Sequence, residues 1–173
     1  MAIDVHGRTD SAVLVPLFQD AAGELHAVFT QRRDDLSRHA GEISFPGGRR
    51  DGDEPLVETA LREAHEEIGL APEGVEIIGA LEPTPTFVTS YAIYPFVGVI
   101  AVPAAAWALS DAEVAEVLEL PLSALRAGAG ERRLVRKGIP FRTPTYEVGS
   151  HLIWGATARI VGDLLRRTSR SAR

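Results

Sequence analysis

The stretch GRRDGDEPLVETALREAHEEIGL, residues 48–70, decides the fold. Its centre, Arg62-Glu63-Ala64-His65-Glu66-Glu67, carries the spacing of a helix. Each residue of an α-helix advances by roughly 100°, so Glu63, Glu66 and Glu67, at i, i+3 and i+4, share one side. Val57, Ala60, Leu61, Ala64 and Ile68 make an apolar stripe on the other side, suited to a core. The spacing predicts a helix over about 55–68. Pro55 suits its first turn, where a missing N–H costs nothing. Gly69 suits its end, in the left-handed conformation. The Gly47-Gly48 turn just upstream lets backbone carbonyls approach whatever the carboxylates hold.

Like charges at i, i+4 repel one another, at a cost of a few tenths of a kcal/mol. A cation offsets this, and hard oxygen ligands favour Mg²⁺, Mn²⁺ or Ca²⁺. A solvated acidic face, with Glu58 and Arg62 as a helical ion pair, would explain an isolated run of this kind. The complete pattern argues against that. It reads G-x5-E-x7-R-E-U-x-E-E-x-G-U, with U a bulky aliphatic, and is met by Gly48, Glu54, Arg62, Glu63, Ala64, Glu66, Glu67, Gly69 and Leu70. Ala64, at an aliphatic position, is the one departure. The stretch resembles the Nudix box. The resemblance implies a hydrolase acting on a diphosphate linked to another moiety, with Mg²⁺ or Mn²⁺ as cofactor. It also implies Glu63, Glu66 and Glu67 as metal ligands, the Gly48 carbonyl nearby, and a Glu54–Arg62 pair fixing the helix against the turn.

The residues upstream, TQRRDDLSRHAGEISFPGG over 30–48, bear on the substrate. They resemble the further signature of the coenzyme A diphosphatase branch through Thr30, Arg32, Leu36, His39, Gly41, Ile43, Phe45, Pro46, Gly47 and Gly48. Ser37 stands where the branch has arginine, with Arg38 beside it, and Glu42 where it often has glutamine. The resemblance continues at Thr89-Ser90-Tyr91, at Glu113-Val114 before Leu120-Pro121-Leu122, and over residues 153–160, IWGATARI. Arg32, Arg38 and His39 are candidates for substrate phosphate, through charge-assisted hydrogen bonds. Pairing with Asp34 and Asp35, or a packed histidine, is the plainer account of them. The apolar residues of the WGATAR stretch recur at helical spacing and read as core packing.

Length and composition set the limits. The 173 residues read as one domain over 1–173, frayed at 1–10 and 168–173. The first ten residues lack an apolar signal-peptide core, and no run is long enough to span a membrane. Without cysteine there is no thiol chemistry or disulfide, which fits the cytoplasm. A net charge of −6 argues against an extended nucleic-acid surface; a small-molecule diphosphate as partner is what the Nudix resemblance implies.

Strands are expected over 12–18, 25–31, 43–45 and 75–81. Residues 91–102, with Pro95 and Gly98 inside, read as an interrupted or edge strand, either a core strand or a homodimer interface. Residues 111–120 read as a helix whose end could be strand. A short helix over 121–127, a late hairpin around Gly138 and a helix over 153–167 follow. This order suits a mixed sheet between helices, an α/β class, and agrees with the α/β/α sandwich that the Nudix resemblance implies. Glu66 or Glu67 within the box, or Glu113 outside it with Glu116 behind, is the expected general base. A solvated helix residue is the equal alternative for Glu113. A Nudix hydrolase of another diphosphate, such as ADP-ribose, and a non-catalytic binding domain on the same fold are the rival readings.

Overall fold

The apolar run after Thr9 becomes β1 (Thr9–Gln19), the strand on which the rest is laid. The computed structural model describes residues 8–35, 41–86, 89–103 and 105–170. Strand side chains alternate between faces, and both faces of β1 are buried. Ala12 and Leu14 pack with Ala60 and Ala64 of helix α1 (Leu56–Ile68), and Phe18 with Ile68. Val13, Val15 and Leu17 lie in the opposite core with Ile160, Val161 and Leu164 of helix α3 (Gly155–Arg170). A strand covered on both faces needs a continuous apolar run rather than alternation, which is how β1 reads in the sequence.

β2 (Leu25–Arg32) and β4 (Gly47–Arg49) run antiparallel to β1, and β3 (Ile43–Ser44) lies beyond β2. β5 (Glu76–Ala80), β6 (Thr84–Pro85) and β7 (Tyr91–Val99) complete the other side, with β7 parallel to β1. Helix α1 ends as expected at Gly69, with φ 73°, and there a Cβ would meet the Ala108 side chain at 2.7 Å.

Three expectations are corrected. Residues 91–102 are not an edge: β7 lies between β1 and β5. Pro95 is tolerated because it faces the break between β5, whose pairing ends at Ala80↔Phe96, and β6, whose pairing begins at Thr84↔Ile93. Its carbonyl accepts the Leu81 N–H at 2.9 Å. Residues 111–113 form a turn, not a helix, and β8 (Val114–Pro121) pairs antiparallel with β2. Helix propensity differs by at most about 0.7 kcal/mol per ordinary residue. Burying Val114, Leu118 and Leu120 stabilises by about 1.5–3 kcal/mol each for full burial, so the sheet wins. Ile153 and Trp154, read as helix, belong to β11 (His151–Trp154), because Ile153 pairs with Tyr146 across the ladder.

The late hairpin is β9 (Ala129–Arg136) and β10 (Ile139–Val148), and β11 makes it a three-stranded antiparallel sheet. Short helix α2 (Leu122–Ala127) connects the two sheets. Helices on both faces of a mixed sheet make this an α/β fold, as the sequence predicts. Thr9 lies in β1, and Arg126 donates to the Thr168 and Ser169 hydroxyls at 2.8 Å each. Among the described residues no helix is long and apolar enough to cross a membrane.

Candidate active site

Glu54 and Arg62 anchor the start of α1. The Arg62 guanidinium donates to both Glu54 oxygens, at 2.7 and 3.2 Å, and to the Arg49 carbonyl at 3.2 Å. The Asp51 N–H and the Thr59 hydroxyl also donate to Glu54. Arg62, then Asp51, hold the Glu54 carboxyl down at about 2, against the smaller effect of burial. Arg62 therefore ties the helix to the turn after β4 through Glu54, and its remaining ion pairs are with Glu63 at 3.1 Å and Glu66 at 3.4 Å.

The three glutamates of the acidic face do not share one environment. Glu67 is 8 % exposed and Glu63 is largely covered, whereas the Glu66 side chain is 58 % exposed. Burial, then the charges of Glu63 and Glu113, push the Glu67 carboxyl up to about 8, while the Gly47 N–H and Arg32 act the other way. Burial also raises Glu63. Glu113 thus joins the acidic group across the fold, from the turn before β8 rather than from a helix. Its backbone is held there by Ser110 and Arg33. Glu116 lies on β8 opposite Gln31, exposed.

A Cβ on Gly48 would stand 2.6 Å from the Glu63 carboxylate, so only glycine lets backbone and carboxylate come this close. Among the described residues, no three carboxylate or imidazole groups converge into a metal shell, and Arg62 donates to both Glu63 and Glu66. The donor set still fits a hard divalent cation: every donor is oxygen, and the buried Glu67 carboxyl has two carboxylate neighbours whose repulsion a cation would remove.

Beside this group lies a cavity of about 530 Å³. Ser11 and Val13 of β1, Arg32 at the end of β2, residues 42–45 and 47–48, and residues 154–157 and 159–160 line it. The buried Arg32 Nε has no hydrogen-bond partner among the described residues. Arg38 and His39 lie outside the described residues. Asp35 pairs with Arg33 at 2.8 Å rather than with Arg32. The WGATAR stretch, read as core packing, is corrected in part: Trp154, Ala156, Thr157 and Arg159 line the cavity, and Ala158 is buried in the core. Sequence reading also missed Arg136 and Phe141 as cavity residues. No local signal marks them, since they reach the cavity from the two strands of the β9–β10 hairpin.

Comparison with known proteins agrees with this architecture. Residues 8–137 match the NUDIX domain model. An uncharacterized Nudix hydrolase NudL of Citrobacter koseri is 41% identical over 160 residues, spanning 91% of this chain and 81% of the relative. Its namesake in Salmonella typhimurium is 37% identical over 167 residues, spanning 95% and 85%. Among solved structures, the MutT protein of Methanosarcina mazei superposes with TM-score 0.59 at 18% identity, over 96% of this chain and 98% of that one. The NUDIX domain of Shewanella oneidensis NrtR, complexed with ADP ribose, superposes with TM-score 0.58 at 15% identity, over 94% and 89%. These structural likenesses concern the fold alone. With the domain match covering most of its length and close relatives along nearly all of it, the chain belongs to the Nudix family, as a hydrolase of pyrophosphate bonds.

Proposed function

We propose that this Nudix hydrolase cleaves the diphosphate of coenzyme A or a derivative, giving 3′,5′-ADP and 4′-phosphopantetheine or its acyl form. One observation carries the reading. The two stretches that resemble the coenzyme A diphosphatase branch, far apart in the chain, border the same cavity next to the carboxylates. The first contributes Arg32, Ile43, Phe45, Gly47 and Gly48, and the second runs from Trp154 to Ile160.

In this reading Glu63, Glu66, Glu67 and the Gly48 carbonyl would hold Mg²⁺ or Mn²⁺. A divalent ion of this kind, which Nudix hydrolases generally use, supplies positive charge on the diphosphate and acidifies the attacking water. The chain's own groups do the rest. Glu113, exposed yet close enough to act on Glu63 and Glu67, is the first choice for accepting the water proton, with Glu66 or Glu67 as the alternative inside the helix. Arg32, with its buried Nε, offers a charge-assisted hydrogen bond to a phosphate oxygen, and Arg38 and His39 are assigned the same role. Arg62 and Glu54 hold the helix so that these groups keep their positions.

The test is product analysis with coenzyme A and Mg²⁺, beside ADP-ribose at equal concentration. Faster appearance of 3′,5′-ADP than of any ADP-ribose product is the expected result. Cleavage of ADP-ribose alone would replace the substrate, and silence on both, also with Mn²⁺, would favour a binding domain.

A further inference from the structure

The acidic group and its proposed metal account for one end of the cavity. The wall contributed by β9, β10 and the start of α3 has the opposite character. Among the described lining residues stand four arginines, Arg32, Arg136, Arg142 and Arg159, and one carboxylate, Glu42. The Arg136 guanidinium lies over the Trp154 ring, 5.3 Å from its centroid, and Glu42 holds it there at 3.2 Å. Phe141 meets the other part of this cluster, its ring 5.8 Å from that of Trp154. Arg159 is fixed by donating to the Pro85 carbonyl at 2.6 Å. Its Nε is buried, and burial lowers the pKa of the side chain. In such surroundings a guanidinium–phosphate contact is stronger than in water. The indole, with Arg136 over its ring, adds an aromatic surface to the same lining.

We infer that Arg136 and Arg159, beside Trp154, form a second anion subsite that takes a sugar phosphate on the nucleoside half of the substrate, independently of the metal. The identity of the ligand, a nucleotide phosphorylated at the ribose 3′ carbon, rests on the coenzyme A reading; the subsite itself rests on the wall.

The direct test uses the full chain with EDTA present, titrated calorimetrically with 3′,5′-ADP and with 5′-AMP. The expected result is roughly tenfold tighter binding of 3′,5′-ADP, a ratio that falls close to one in Arg159→Gln. Equal affinities for the wild-type chain, or an unchanged ratio in the variant, would overturn the subsite. If Arg159→Gln gives no cooperative melting transition, Arg136→Gln replaces it, since the Arg136 side chain is 25% exposed. A second measurement separates this from the substrate reading: kcat/KM for coenzyme A against 3′-dephospho-coenzyme A. Equal values would remove the subsite and leave coenzyme A as substrate. Cleavage of neither, with 3′,5′-ADP still the tighter ligand, would remove the substrate and keep the subsite.

Discussion

The acidic face of α1 and the arginine–tryptophan wall border one cavity but are built in opposite ways. The first comes from a single helix and the turn before it: Gly48, Glu54, Arg62, Glu63 and Glu67 stand within one continuous stretch. The second draws Arg136 from β9, Phe141 from β10, Trp154 from β11 and Arg159 from α3. A local motif is positioned by helix geometry, whichever way the rest of the chain runs. The wall exists only if the second sheet docks where it does. In the proposed reading, bond cleavage belongs to the first region and choice of substrate to the second, and substitutions should separate them.

The largest effect is expected from Glu67→Gln, which keeps the shape of the side chain and removes its charge. Hydrolysis should fall by a factor on the order of 10³ while the melting temperature is kept, because a buried carboxylate among like charges does not stabilise the fold. Steady-state rates with coenzyme A and thermal melting read both, and wild-type turnover would sink the metal-ligand assignment. Arg62→Ala should act on rate and stability together. It releases Glu54 and Glu63, lowering the rate by a factor on the order of 10² and stability by about 2 kcal/mol. Denaturant unfolding beside the rate assay checks this, and a loss of rate alone would make Arg62 something other than a tie between helix and turn.

Trp154→Leu probes the other region. It should raise KM by about tenfold and leave kcat near the wild-type value, as expected when binding surface shared by ground and transition states is removed. A fall in kcat with unchanged KM would merge the two regions into one catalytic unit. The smallest effect concerns acid stability. Glu54 is held at about 2, below its ordinary 4.5, so its contribution is complete above pH 4.5 and is lost as the pH falls through about 2. The difference in melting temperature between the wild-type chain and Glu54→Gln should therefore shrink steadily over that window. A constant difference would mean that the ion pair with Arg62 carries none of it.

Much of the architecture was legible because neighbouring residues dictate it. Helix α1, its Gly69 end, the buried run of β1 and the hairpin around Gly138 all follow from local spacing and turn residues. The misreadings came where distant partners overruled local preference. Residues 114–121 hold good helix formers but pair with β2, and Pro95 sits in an internal strand because a break in the neighbouring strands meets it. On the acidic face the sequence places Glu63, Glu66 and Glu67 on one side, but only the packing buries Glu67, largely covers Glu63 and leaves Glu66 beside Arg62 in solvent.

By itself, then, the sequence determined the helix that carries the acidic chemistry, its glycine turn and the family to which the chain belongs, since those depend on residues within a few turns of one another. The tertiary structure alone decided that the charge of Glu113 acts on Glu67, that Trp154 and Arg159 line a cavity instead of filling a core, and that Arg136 lies over the indole. Each of these depends on contacts between segments far apart in the chain, set by strand pairing and burial, which no local spacing encodes.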